Sequence, residues 1–105
     1  MGLIMSDESI IIQVDADLEE LIPGFLENRN SDILKLRASL ESNDFENLRS
    51  IGHSLKGVGG GYGFELMSEI GAEIESASKN NNADLIKDKI NQLDDYLKRI
   101  DIEYI

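Results

Sequence analysis

Apolar residues recur at intervals of three and four from residue 18 to the end of the chain, and this spacing is typical of amphipathic helices. Short polar turns divide the pattern into four segments. They contain Leu18, Leu21, Ile22, Phe25, Leu26, Ile33, Leu36 and Leu40; then Phe45, Leu48, Ile51, Leu55, Val58 and Tyr62; then Leu66, Met67, Ile70, Ile74 and Ala77; and finally Ile86, Ile90, Leu93, Leu97 and Ile100. We therefore predict an all-α fold, an antiparallel up-down four-helix bundle with a short N-terminal extension.

Polar residues and the single proline predict where the helices begin and end. Asp15 or Asp17 can cap the first helix, and Pro23 should kink or break it because proline removes a backbone hydrogen bond. A turn is predicted at residues 42–44 and another at the polar run 79–82. Only Ser9–Val14 resembles a strand, and it is short and isolated. We divide the chain into a bundle, residues 14–105, and an N-terminal arm, residues 1–13, which we expect to be extended or a short helix and to lie over one end.

The composition excludes several classes of function. The 105 residues include 21 Asp and Glu against 10 Lys and Arg, a formal net charge of −11, so nucleic acid and anionic membranes are poor partners. The absence of Cys excludes disulfides, thiol catalysis and Cys-ligated zinc. No basic leader or membrane-spanning run is present, and the longest aliphatic run is Ile10–Ile12. We expect a soluble, cytoplasmic, single-domain protein.

The only histidine, His53, falls on the predicted second helix, opposite the apolar face. Arg49 lies one turn before it, Lys56 and Gly57 lie one turn after it, and Gly60 lies about two turns after it. Residues 47 to 64 contain no acidic residue, so this window is locally electropositive in an acidic chain. An exposed imidazole is a good nucleophile near neutral pH, and an ammonium can hold phosphoryl oxygens. The glycines leave room for a partner protein.

Simpler interpretations of the same residues stay open. A lone His on a helix is usually an ordinary surface residue, Arg49 and Lys56 can be a solvated face, and a glycine run is most often a loop. The Gly-rich stretch fits neither of the glycine patterns that bind nucleotide phosphates. One His with scattered carboxylates also lacks the spacing of a metal site, so no metal is expected.

The segment His53-Ser54-Leu55-Lys56-Gly57 resembles the signature of histidine-containing phosphotransfer domains. The similarity continues with Gly63, Met67, Ile70 and the pair Ile74-Glu75, and upstream with residues 14–18, 21–26 and Arg29. It covers roughly residues 14 to 100. Two departures are Gly59–Gly61, where the family more often has Ser or Ala, and Met67, where Leu is usual.

The resemblance implies a monomeric helical bundle whose His53 takes a phosphoryl group from the aspartyl phosphate of a receiver domain and passes it to another receiver aspartate. Lys56 would stabilise the phosphoryl oxygens, and Arg49, Gly57 and Gly60 would form the face that docks the receiver. The receivers would belong to response regulators or hybrid histidine kinases. The chain would need no cofactor, because Mg²⁺ comes with the receiver, and it would have no kinase activity of its own.

Two rival functions fit the same residues. In one, a separate histidine kinase catalytic domain phosphorylates the His-bearing domain directly. In the other, the chain is a helical adaptor that docks a partner without chemistry. The sequence leaves the partner receivers and the direction of phosphate flow open.

Overall fold

A bundle of four helices forms the body of the computed structural model, which describes residues 8–105. The helices are α1 (Ile22–Glu41), α2 (Phe45–Gly61), α3 (Glu65–Lys79) and α4 (Ala83–Arg99). A strand, β1 (Ile10–Val14), and a short 3-10 helix (Ala16–Leu18) precede them, and a second strand, β2 (Ile100–Tyr104), follows. The prediction of an all-α four-helix bundle is confirmed, with the two strands as a small addition at the ends of the chain.

The bundle core consists of the apolar residues that the three-and-four spacing brings to one face of each helix. The most deeply buried side chains, all fully inaccessible to solvent, are Leu36, Leu48, Leu55, Phe64, Met67, Ile70, Ile74, Ile86, Ile90 and Leu93. Nine of these ten positions are members of the predicted apolar segments; only Phe64 lies outside them. The face that each helix buries in the core is therefore the one that the sequence predicts.

Three tight turns connect the helices, and each contains one residue in the left-handed backbone region. These are Asn43 at φ 57°, Gly63 at φ 89° and Asn81 at φ 52°, all residue types that tolerate positive φ. The helix after the first turn is capped by Asp44, whose Oδ1 accepts from the backbone N–H of Asn47 at 3.0 Å. The turns predicted at residues 42–44 and 79–82 are therefore confirmed.

The start of the first helix differs from the sequence prediction. Asp15 caps only the 3-10 helix, accepting from the backbone N–H of Asp17 at 2.9 Å, and α1 begins at Ile22. Pro23 lies in the first turn of α1, where a backbone N–H has no helical partner in any case. The predicted kink at Pro23 is therefore wrong, because this proline begins a helix and does not interrupt one.

The strand-like segment near the N-terminus is not isolated. It forms β1, which pairs in parallel with β2, with Ile10 opposite Ile100 and Val14 opposite Tyr104. The prediction that Ile100 continues the fourth helix is wrong, since α4 ends at Arg99 and Ile100 is extended. The predicted boundary between residues 13 and 14 falls inside β1, and residues 1–7 of the predicted arm lie outside the described residues.

Within residues 8–105, none of the helices combines the length and the apolar character that crossing a membrane requires.

Candidate functional site

The single histidine lies on the outer face of α2, as the helical phase predicts. The His53 side chain is 68% exposed, whereas Leu55, two residues later, is fully buried in the core. The two positions are about 200° apart around a helix, so they face opposite directions. The predicted contrast between an exposed His53 and a buried Leu55 is confirmed.

A carboxylate from the neighbouring helix contacts the imidazole. Glu75, on α3, places Oε2 3.1 Å from His53 Nδ1, and its side chain is only 13% exposed. The idea of an acid-free surface around His53 therefore holds along α2 but not in space, because α3 supplies a carboxylate. The sequence marked Glu75 only as part of the family pattern, and reasoning on one helix at a time gave it no role.

The charge state of Glu75 decides which nitrogen of the His53 imidazole carries the proton and which has a free lone pair. Partial desolvation raises the pKa of its carboxyl, but the hydrogen bond with His53 and the charges of Lys56, His53 and Lys79 outweigh this, and the pKa lies below its ordinary value. An ionised carboxylate can only accept a hydrogen bond, so Nδ1 of His53 carries the proton. Nε2 is then the nitrogen with the free lone pair, and no residue within 8–105 hydrogen bonds to it.

Lys56 lies one turn after His53 and shares the same carboxylate. Its Nζ is 3.6 Å from Glu75 Oε1, and half of its side chain is exposed. The backbone of this turn is also tied to α3, because Ser68 Oγ donates to the carbonyl oxygen of Lys56 at 2.7 Å. The Lys56 ammonium is thus held near the imidazole, and its exposed half can still turn toward a negatively charged group bound at His53.

The other predicted site residues lie on the exposed side of α2, with no hydrogen bond or ion pair among residues 8–105 joining any of them to His53. Arg49 is one turn before the imidazole. A Cβ added to Gly57 would meet nothing within 4 Å, and one added to Gly60 would meet only Ser68 Oγ at 3.7 Å. This part of α2 therefore presents bare backbone to solvent on the His53 side.

Gly59 behaves differently from its neighbours in the glycine run. It is buried, and a Cβ there would lie 2.8 Å from the backbone nitrogen of Ser68 on α3. The sequence treated residues 59–61 as one departure from the family pattern. Only the packing between α2 and α3 separates the glycine required for helix contact from those open to solvent.

A groove lies between the beginning of α1 and the C-terminal half of α2. It has a volume of about 390 Å³ and is lined in part by Leu21, Gly24, Val58 and Tyr62. Phe25 also lines this groove, and its ring stacks on that of Tyr62 with 4.4 Å between the ring centroids. Leu21 is 54% exposed, which leaves a large apolar side chain at the surface.

Metal-ligating side chains do not cluster in the part of the chain that the structure describes: no group of three or more His, Asp or Glu residues is placed to hold an ion. The contact between His53 and Glu75 supplies at most two ligands, fewer than a protein metal site normally has.

Comparison with known protein families matches the chain to the Hpt domain. The family model for the Hpt domain covers residues 16–103, which includes all four helices and the site around His53. No curated protein and no solved structure gives a significant match to the chain.

Proposed function

The chain belongs to the Hpt domain family, which carries out histidine-containing phosphotransfer in two-component signalling, and on that premise we propose that His53 is its phosphoacceptor. It accepts a phosphoryl group from the aspartyl phosphate of a receiver domain and passes it to an aspartate of another receiver. The observation that carries this proposal is the exposed imidazole whose Nδ1 is held by Glu75 at 3.1 Å. That contact leaves Nε2 as the nucleophile.

The proposed transfer uses the two imidazole nitrogens for different purposes. The Nε2 lone pair attacks phosphorus, the N–P bond forms, the P–O bond to the receiver aspartate breaks, and the aspartate leaves as a carboxylate. The imidazole ring gains positive charge, and its Nδ1–H donates to the ionised Glu75, which stabilises that charge. Onward transfer is the same step in reverse, with a different receiver aspartate as the nucleophile.

Lys56 is proposed to stabilise the phosphoryl oxygens. Its Nζ lies near Glu75 and is half exposed, so it can turn toward a group on Nε2 without leaving the site. The chain contributes no metal ion in this proposal. Mg²⁺ would come with the receiver domain, as in the family.

The receiver would dock on the exposed side of α2 that contains Arg49, Gly57 and Gly60. Bare backbone at the glycines allows close approach to the imidazole. The neighbouring groove with the exposed Leu21 extends this surface toward α1 and offers an apolar anchor beside the reacting group.

Replacing the phosphoacceptor is the direct test. His53→Gln should abolish phosphoryl acceptance from phosphorylated receivers, while the free energy of unfolding changes by less than about 0.5 kcal/mol because the side chain is exposed. Radiolabelled transfer and urea denaturation measure the two quantities. Lys87→Gln, an exposed position on α4, is the matched control and should transfer normally.

Three results would redirect this assignment. Phosphoryl acceptance by the His53→Gln protein would show that another residue takes the group. Labelling of His53 only by ATP with a separate histidine kinase catalytic domain, and by no receiver, would favour direct phosphorylation over a relay. Binding of receivers without any labelling would favour an adaptor.

Lys56→Ala should slow transfer by roughly tenfold or shorten the lifetime of the phosphorylated protein, since removing one charged donor at a transferring group typically costs at least that much. The bundle should stay folded, because the side chain is half exposed. Transfer time courses measure the effect, and Lys87→Ala on α4 is the control. Equal rates and lifetimes for Lys56→Ala and the parent protein would remove Lys56 from the mechanism.

A further inference from the structure

Gly71, on α3, packs directly against the turn of α2 that contains His53. A Cβ at Gly71 would lie 2.6 Å from the backbone nitrogen of Lys56 and 2.7 Å from the carbonyl oxygen of Gly52. In an α-helix these two atoms are the donor and acceptor of the hydrogen bond that spans residues 52 to 56. The two helices therefore touch through backbone atoms at the turn that carries His53.

The contact is reciprocal, and its other side lies at Glu75. A Cβ at Gly52 would lie 2.8 Å from the backbone nitrogen of Glu75 and 2.9 Å from the carbonyl oxygen of Gly71. Glu75 follows Gly71 by one helical turn, on the same face of α3. The close approach of the backbones thus places the Glu75 carboxylate within reach of both His53 and Lys56.

We propose that Gly52 and Gly71 are positioning residues for phosphotransfer, because their contact sets the distance between the His53 imidazole and the Glu75 carboxylate. This inference rests on the proposed function, since it assumes that His53 reacts. The two glycines do not touch the reacting atoms. They act by holding α2 and α3 close enough for Glu75 to hydrogen bond with Nδ1.

The distances at Gly71 show how strongly an added methyl group would change the His53–Glu75 contact. Normal contact between non-bonded carbon atoms is about 3.5–4.0 Å, so a methyl group at Gly71 requires the helices to separate by about 1 Å. The clashing atoms belong to the backbone of α2 and cannot rotate away. A shift of that size would lengthen the His53–Glu75 contact from 3.1 Å to about 4 Å, beyond hydrogen-bonding distance.

Gly59 provides a control whose clash is close to that of Gly52 and milder than that of Gly71. A Cβ there would lie 2.8 Å from the backbone nitrogen of Ser68 and 3.1 Å from the carbonyl oxygen of Phe64. This clash also involves α2 and the start of α3, but it lies at the other end of the contact, away from Glu75. Gly59→Ala should therefore destabilise the protein about as much as Gly52→Ala, without moving the carboxylate from the imidazole.

The experiment compares Gly71→Ala, Gly52→Ala and Gly59→Ala in the full chain. Transfer rates from a phosphorylated receiver are measured, and the Glu75 carboxyl pKa is followed by ¹³C NMR. We expect transfer to fall about tenfold or more in Gly71→Ala and Gly52→Ala, and by less than about threefold in Gly59→Ala. The Glu75 pKa should rise toward its ordinary value only in the first two, because separation weakens the interactions with His53, Lys56 and Lys79.

Glu75→Asp keeps the proposal testable if both glycine variants fail to fold. It withdraws the carboxylate by one methylene while leaving both glycines in place, so we expect a loss of transfer similar to that of Gly71→Ala. Transfer at the parent rate by Glu75→Asp would overturn the proposal, because the spacing would then not matter. Equal losses in Gly59→Ala and Gly71→Ala, or an unchanged Glu75 pKa in Gly71→Ala, would overturn it too.

Failure of the proposed function gives a different result. If the parent protein accepts no phosphoryl group from any receiver, the proposed transfer from receiver domains is wrong. The Glu75 pKa in Gly71→Ala against Gly59→Ala still reports whether the glycine contact sets the distance between the two side chains.

Discussion

The contact between α2 and α3 and the pairing of β1 with β2 both join backbone to backbone, but they do so in different ways. At the helix contact, Gly52 and Gly71 leave no room for a side chain between the two elements. In the strand pair, backbone hydrogen bonds make the connection, and one face is open to solvent, with Ile11 65% exposed. The first arrangement fixes a distance by steric exclusion, and the second holds the two ends of the chain together.

This difference explains why the helix contact, and not the strand pair, can hold two side chains of a reactive site at a fixed distance. Hydrogen-bonded strands at a surface can separate locally, and here only Val14 of the strand residues is buried, so less apolar surface opposes their opening. Two helices in direct backbone contact, flanked by fully buried Leu55 and Ile74, resist separation because it would leave gaps in a close-packed core. The His53–Glu75 pair lies over the contact between α2 and α3, where the packing of the two helices sets the geometry of the pair.

The largest expected effect tests this contrast with the same substitution in both regions. Ile74→Ala removes a fully buried side chain that lies against Gly52, and it should lower the free energy of unfolding by about 3 kcal/mol. Ile102→Ala, in the half-buried face of β2, should cost about 1 kcal/mol because less apolar surface returns to water. Urea denaturation of both variants measures the difference.

Similar losses at the two positions would contradict the comparison, since the strand pair would then be as integral to folding as the helix contact. Amide hydrogen exchange provides an independent measure. The amides of Ile102 and its β1 partner should exchange faster than those around Gly71, because local opening of the strands exposes less surface than separation of the helices.

Local periodicity was sufficient to predict α2, α3 and most of α4, and the side of α2 that faces solvent. These features depend on residues within one element, such as the opposite faces of His53 and Leu55. The same reasoning misjudged Pro23, because a proline within an apolar pattern can equally begin a helix. The proline signal alone does not distinguish the first turn from an interior turn.

Features that depend on two elements could not be predicted in the same way. Glu75 reaches His53 from 22 residues away, and the sequence gave no measure of the distance between their helices. The strand pairing joins Ile10 to Ile100, and no local pattern predicts a contact between residues so far apart in the sequence. The buried role of Gly59 and the open position of Gly57 also follow only from where α3 lies.

The smallest expected effect concerns Tyr96 of α4, which, with Ile10 and Ile12 of β1, lines an open groove of about 480 Å³. Its side chain is 2% exposed, and its hydroxyl has no hydrogen-bond partner within residues 8–105. Tyr96→Phe should therefore raise the free energy of unfolding by about 0.5–1 kcal/mol, because a buried unpaired hydroxyl is costly. Tyr104→Phe, at a partly exposed position in β2, is the control and should change it little.

The same substitution has a pH signature. Burial raises the pKa of Tyr96 to about 12, whereas an unfolded tyrosine ionises near about 10. The parent protein therefore loses stability as pH rises from about 10 to 12, because only its unfolded state releases the proton in that range. The advantage of Tyr96→Phe should widen there, as measured by denaturation at both pH values. A destabilised Tyr96→Phe protein would show that the hydroxyl is hydrogen bonded in solution.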